Sequence, residues 1–146
     1  MLTLPRALAD AIRHHAERDY PEECCGVLLG RVVLDGDGAS RVAVEARACA
    51  NARVGEAKHD RYAIAPQELI AAQREARARG LLIIGFYHSH PDHPAEPSAT
   101  DAAEAYWPGC VYVIVSVAQG QAGEMNAFVP AGKLEARLVP EPTTIG

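Results

Sequence analysis

Leu81-Leu82-Ile83-Ile84-Gly85-Phe86-Tyr87-His88-Ser89-His90-Pro91 is the stretch on which the fold of this chain turns. Its first part, Leu81–Tyr87, holds no charged or strongly polar residue, the pattern of a central strand with both faces covered. Immediately upstream, Pro66–Arg79 reads as a helix, with proline at its start and Gly80 past its end. Downstream, His88–Pro97 (HSHPDHPAEP) reads as a loop, Ser98–Tyr106 as a short helix and Cys110–Val117 as another buried strand.

Toward the N-terminus, Pro5–Arg18 forms a first helix, with Leu4, Leu8, Ala11, Ile12 and His15 on one face and Tyr20-Pro21 as its stop. Cys25–Val33 reads as a buried strand, Asp35-Gly36-Asp37-Gly38 as a turn, and Ser40–Ala48 as the returning strand, with Val42, Val44 and Ala46 alternating against charged neighbours. Asn51–Ala65 is a polar loop with a short strand at Arg61–Ile64. Glu124–Val129 and Leu134–Leu138 form a last hairpin around Pro130-Ala131-Gly132, and residues 140–146 are expected to fray. These elements give a mixed α/β fold of α+β-like character, a layered sheet flanked by helices, in one domain spanning residues 1–146.

Composition bounds the function. With 49% hydrophobic and 23% charged residues among 146, the chain is of globular type and has neither disordered nor collagen-like composition. A formal net charge of −5 speaks against non-specific nucleic-acid binding. No stretch approaches the ~18 apolar residues of a membrane span, and the N-terminal residues lack a signal-peptide layout, so a cytoplasmic location is expected. Cys24, Cys25, Cys49 and Cys110 show no zinc-knuckle spacing and are expected to be buried free thiols.

The chemistry lies where the apolar strand ends. His88 and His90 are two apart, so extended backbone points both imidazoles to one side. Asp101, one helical turn into the next element, can add an oxygen. Two His and one carboxylate with a fourth position left for water is the pattern of a catalytic zinc, one ion per chain. The same residues have a second reading: Ser98-x-x-Asp101 after Pro97 is a helix capping box, with Ser98 as cap and Asp101 reaching back to it.

The segment His88-Ser89-His90-Pro91, with Pro91–Pro97 separating His90 from Ser98 and two residues separating Ser98 from Asp101, resembles the motif of JAMM (MPN+) zinc metallopeptidases. That family also has an upstream Glu in a P-x-E-x-C-G context, and Pro21-Glu22-Glu23-Cys24-Cys25-Gly26 matches it. The resemblance implies the JAMM/MPN fold, cytidine-deaminase-like in its layering. It implies metal ligands at His88, His90 and Asp101, general acid/base chemistry at Glu23, and a hydrogen bond from Ser98 to the oxyanion. Glu22 is then a solvated neighbour. The short chain resembles the small prokaryotic branch, associated with ubiquitin-like sulfur-carrier proteins. The implied activity is hydrolysis of a peptide bond at such a carrier's C-terminal tail, releasing cysteine or trimming to Gly-Gly. The tail would bind extended against a strand edge. The alternatives are an isopeptidase for a ubiquitin-like modifier, a non-catalytic zinc scaffold, and a RadC-like nucleic-acid-associated module. The oligomeric state is left open.

Of the remaining candidates, His14 and His15 read as solvated positions on the first helix. His93 lies in the metal loop without a ligand role, and the role of His59 is open. Asn51, Arg53, Tyr62 and Trp107 are candidates for shaping a substrate channel, with loop or packing roles as the alternative.

Overall fold

The computed structural model of the chain describes residues 1–36, 38–132 and 136–146. The elements are β1 (Leu2–Leu4), α1 (Arg6–Asp19), β2 (Cys25–Asp35), β3 (Gly38–Cys49), a 3-10 turn (Gly55–His59), α2 (Pro66–Ala78), β4 (Leu82–Pro91), α3 (Ala99–Ala103), β5 (Val111–Ala118), β6 (Gln121–Pro130), β7 (Leu138–Glu141) and β8 (Thr143–Ile145). The strands form one mixed sheet of eight in the order β7-β6-β5-β4-β2-β3-β1-β8. β4 and β5 are parallel at its centre, and β2 runs antiparallel beside β4.

Side-chain alternation sorts the core onto the two faces of this sheet. Leu28 of β2, Ile84 of β4 and Val113, Val115 and Val117 of β5 pack with Ala9, Ile12 and Ala16 of α1. Val27, Leu29, Phe86 and Tyr112 face the other way and pack with Ala72 and Ala76 of α2. The central strands are apolar on both faces because a helix covers each. Gln119 and Gly120, with φ of 51° and 83°, make the two-residue turn between β5 and β6.

The ends of the chain depart from the sequence reading. Leu2–Leu4 is a strand, running parallel to both β3 and β8. The C-terminal residues do not fray. β7 pairs with β6 at one end of the strand order, and β8 pairs with β1 at the other, with only Pro142 between them. The sheet therefore curls until one short segment joins its two edges. The Pro142 carbonyl accepts a hydrogen bond from the Leu2 N–H at 2.8 Å. Neither strand has a local signal, because each depends on an edge supplied by distant residues.

Three other boundaries move. The α3 helix closes at Ala103, three residues before Tyr106. Arg61–Ile64 is not a strand, although the Ala52 N–H does bond the Ala63 carbonyl at 2.8 Å. Strand β4 continues through His88-Ser89-His90-Pro91, where a loop was expected, because β5 pairs with it residue by residue from Gly85 to Pro91. The expected strand Leu134–Leu138 and the turn residue Asp37 lie wholly or partly outside the described residues. No helix among the described residues is long and apolar enough to cross a membrane.

Gly26 lies at the junction of α1, β2 and β4. A Cβ there would overlap the Tyr87 ring, whose hydroxyl is 2.7 Å from Nδ1 of His15. His15 is thus buried, not solvated. Its Nε2 donates to Asp19 at 3.2 Å, which leaves Nδ1 to accept from Tyr87. His14 is exposed, as expected. Gly26→Ala must push Tyr87 off this bond, and overpacking of this kind costs about 1–3 kcal/mol. A lower urea midpoint with unchanged slope is expected. Gly123→Ala, where a Cβ meets nothing within 4 Å, should leave the midpoint nearly in place.

Candidate metal centre

The continuation of β4 carries the two imidazoles to one side of the sheet, as alternation requires. The chain then turns at Asp92, whose φ is 57°. Asp92 accepts from the Gln119 N–H and the Tyr20 hydroxyl at 2.8 and 2.7 Å, tying the turn to the β5–β6 hairpin and to the end of α1. The loop returns to Ser98, which caps α3 and presents Asp101 to the imidazoles.

His88 Nε2 and His90 Nε2 are 3.2 Å apart. Asp101 faces both, with Oδ1 3.2 Å from His88 Nε2 and Oδ2 2.9 Å from His90 Nε2. The capping reading and the cluster reading coexist in one carboxylate. Asp101 Oδ2 also accepts the Ser98 N–H at 2.9 Å, while the Asp101 N–H donates to Ser98 Oγ at 3.0 Å. The helix cap therefore orients the carboxylate toward the imidazoles.

The donor set fits a borderline-soft divalent cation. The three ligand atoms lie within 4.8 Å of one another. His90 Nδ1 donates to the Pro94 carbonyl at 2.8 Å, so the neutral ring carries its lone pair on Nε2. Tyr62 stacks on the His88 ring at a centroid distance of 4.5 Å and 22° between planes, and His88 Nδ1 is buried with no partner among the described residues. Two facing Nε2 atoms and a carboxylate are the N, N, O donors that zinc takes. Burial pushes the His88 imidazole down and keeps it neutral. Burial also opposes charge on His90, but hydrogen bonds with Asp101 and the Pro94 carbonyl outweigh it and raise that group. Burial alone would raise Asp101, yet the bonds from His88 and His90 hold its carboxyl well below the usual range.

Glu23 is 3% exposed, and its Oε1 has no hydrogen-bond partner among the described residues. It opens with His90, Ser98, Asp60, Arg61 and His93 onto a cleft of about 340 Å³. Burial, reinforced by Asp101, Asp60 and Glu104, pushes its carboxyl up to about 9. Glu22 is half-buried and lines a separate depression with Asp19 and Lys58, so it is neither fully solvated nor in the cleft. Ser98 lies on the cleft rim and His93 lines its wall, whereas His59 is exposed in the 3-10 turn.

Among the channel candidates, Tyr62 is the platform under His88. Arg53 pairs with Glu104 at 2.7 Å, and Trp107 packs at 5.9 Å from Phe86. Those residues line a second, mostly apolar hollow of about 240 Å³ beyond Tyr62. The sequence reading missed the Pro94 carbonyl that orients His90, and Asp60 and Glu104 that act on Glu23. All three are loop or helix-end positions with no pattern of their own. The four cysteines are buried and unpaired, as expected. Burial pushes the thiols up, Cys24 to about 12 and Cys49 and Cys110 to about 11.

Sheet and cluster together define a mixed α/β protein with two imidazoles and a carboxylate gathered at the carboxyl end of a central parallel strand. The chain belongs to the prokaryotic homologs of the JAB domain, matching that family over residues 5–130. It is 37% identical to a desampylase of Haloferax volcanii over 79% of this chain and 80% of the relative. It is 31% identical to a probable TtuB-protein conjugate cleaving protease of Thermus thermophilus, over 95% and 83% of the two chains. It is 30% identical to a CysO-cysteine peptidase of Mycobacterium tuberculosis, over 88% and 82%. Among solved structures, a protein from Salinibacter ruber is 40% identical with a TM-score of 0.73, covering 100% of this chain and 92% of its own. A JAB1/MPN domain protein from Archaeoglobus fulgidus shares the fold at 16% identity, with a TM-score of 0.56 and coverage of 99% and 97%.

The Glu23 pKa has a consequence measurable in metal-free protein. A carboxyl raised from its unfolded value of 4.5 to about 9 binds a proton in the folded state that the unfolded state has released. Its contribution to stability is whole below pH 4.5 and is lost progressively as pH rises toward 9. With chelator present, Glu23→Gln should gain stability over the parent with rising pH, by up to about 1.4 kcal/mol per unit. The two proteins should converge at low pH in urea unfolding. A pH-independent difference would contradict the assignment.

Proposed function

We propose that this protein is a zinc-dependent peptidase that hydrolyses the peptide bond following the C-terminal tail of a ubiquitin-like sulfur carrier. The observation that carries this reading is the cluster of His88, His90 and Asp101 donor atoms, whose His90 opens onto the same cleft as Glu23 with its buried, unpartnered oxygen. His88, His90 and Asp101 would hold the ion. Bound there, zinc would supply a Lewis acid, acidify water and, as positive charge among carboxylates, draw the Glu23 carboxyl down toward neutrality.

The side chains then divide the work. Glu23 takes a proton from the attacking water and later delivers it to the departing amine. Its burial excludes competing water, and its free oxygen leaves it available for both transfers. Ser98 Oγ accepts from the Asp101 N–H, so its own hydroxyl proton is free to turn into the cleft and meet the carbonyl oxygen as negative charge builds. Asp101 is kept ionised, and His90 is oriented by Pro94. The thiols, held protonated by burial, take no part.

The relatives named as a desampylase and as a conjugate-cleaving protease favour a second reading, an isopeptidase acting on a lysine conjugate of a ubiquitin-like protein. Both readings share the extended carrier tail and differ in the departing amine. A linear carrier extended by one residue beyond Gly-Gly and the same carrier joined to a lysine side chain separate them. Faster cleavage of the linear form, read by mass, is expected.

Further outcomes test the mechanism. Protein purified without chelator should hold close to one zinc per chain, and His88→Ala should lose most of it. Glu23→Gln should keep the metal while turnover falls by roughly 10²–10⁴-fold, and Glu22→Gln should change little. Chelation should abolish hydrolysis, whereas thiol alkylation should leave it largely intact. Metal retained with no turnover on either substrate would indicate a scaffold.

A further inference from the structure

We infer that Ser89 and Asn51 are positioning residues that clamp the Glu23–Cys24 peptide from its two sides, and that Asn51 couples this peptide to the cleft wall at Arg61. The inference rests on the reading of Glu23 as the proton-transfer group.

Glu23 precedes the sheet ladder. The pairing of β2 with both neighbours begins only at Cys25, opposite His88 and Cys49. Its side chain offers no anchor either, since Oε1 has no partner. The direction of the carboxyl is therefore set by the backbone just before the strand.

That backbone is held by side chains. Ser89 lies between His88 and His90, so strand alternation sends its side chain to the opposite face of β4. There it is fully buried, and its Oγ accepts the Cys24 N–H at 2.8 Å. The Ser89 N–H also donates to the Cys24 carbonyl at 3.2 Å. The other end of the same peptide, the Glu23 carbonyl, accepts from Asn51 Nδ2 at 3.1 Å. The Glu23 N–H donates to the Lys58 carbonyl at 2.6 Å.

Asn51 uses its full hydrogen-bonding capacity, two donated and two accepted bonds. Beside Glu23, Nδ2 donates to the Arg61 carbonyl at 2.9 Å. Its Oδ1 accepts the Arg53 N–H at 3.0 Å and the Ala63 N–H at 3.2 Å. Arg61 lines the cleft beside Glu23. One amide thus joins the backbone of the proton-transfer group to the cleft wall at Arg61. Aspartate has the same shape but lacks the two donors, so it cannot hold the Glu23 and Arg61 carbonyls.

The test uses the zinc-loaded full chain and the linear carrier substrate. Ser89→Ala, Ser89→Thr and Asn51→Asp are measured alone and combined with Glu23→Gln, alongside zinc content and hydrogen exchange of the Cys24 amide. Ser89→Ala should lower kcat by roughly 10²-fold, the scale of a small misplacement at a reacting group. KM and zinc content should hold, and the Cys24 amide should exchange faster. Ser89→Thr, which keeps the hydroxyl, should recover most of both losses. Asn51→Asp should lower kcat and also raise KM, because it loosens the wall. With Glu23→Gln present, neither variant should lower kcat further. Equal losses with and without Glu23, or undiminished kcat in both single variants, would overturn the inference while leaving Glu23 in its role. Full turnover by Glu23→Gln alone would overturn the underlying reading. If Asn51→Asp does not fold, the Ser89 pair decides the clamp.

Discussion

Strand β4 does not stop where its apolar residues stop, and the site follows from that. Pairing with β5 runs from Gly85 to Pro91, so the backbone stays extended through two histidines and a serine that have no propensity reason to be in a strand. Extended backbone has a period of two. It sends His88 and His90 to one side, where their Nε2 atoms meet at 3.2 Å, and Ser89 to the other. A loop at these residues would leave the imidazoles free to diverge, and Asp101 would have nothing fixed to face.

The electrostatics around that strand end are costly for the protein alone. Asp101, Asp60 and Glu104 bring negative charge around the buried Glu23 carboxyl, which answers by holding its proton. Asp101 stays ionised through its contacts with His88, His90 and the Ser98 N–H. Like charges gathered in low dielectric are common at functional sites, where a positive ligand offsets them. Here the His88, His90 and Asp101 donors form one group, and Glu23, with its unpartnered oxygen, shares a cleft with His90. The loss of stability and the capacity for chemistry have one source.

The curl of the sheet serves the site at a distance. Because β7 and β8 join its two edges, the face covered by α1 is enclosed. The end of α1 is carried against β4 through the His15–Tyr87 bond and the Tyr20–Asp92 bond. That places the Pro21–Cys25 segment beside the histidines. Gly26 lets Tyr87 approach closely enough for this contact.

Much of this was legible in the residues. The uninterrupted apolar runs of β2, β4 and β5 identified central strands, since a strand covered on both faces must be apolar on both. Pro66 and Gly80 bounded α2, because each has backbone properties suited to one helix end. The spacing of His88, His90, Ser98 and Asp101 brought the candidate ligands to notice, for strand and helix periods fix local direction. The sequence could not show β1 and β8, whose pairing joins residues more than a hundred positions apart and leaves no local pattern. It read His15 as solvated because burial depends on what the opposite strand supplies, here the Tyr87 hydroxyl. It left capping and ligation as rival readings of Asp101, whereas in the fold one carboxylate both closes the helix cap and faces the two imidazoles. Only the P-x-E-x-C-G resemblance separated Glu23 from Glu22, and the structure has Glu23 in the cleft and Glu22 outside it. Adjacent residues of the same type differ only in which way the backbone turns them, and that turn is held by Ser89, Asn51 and Lys58, three residues from distant parts of the chain.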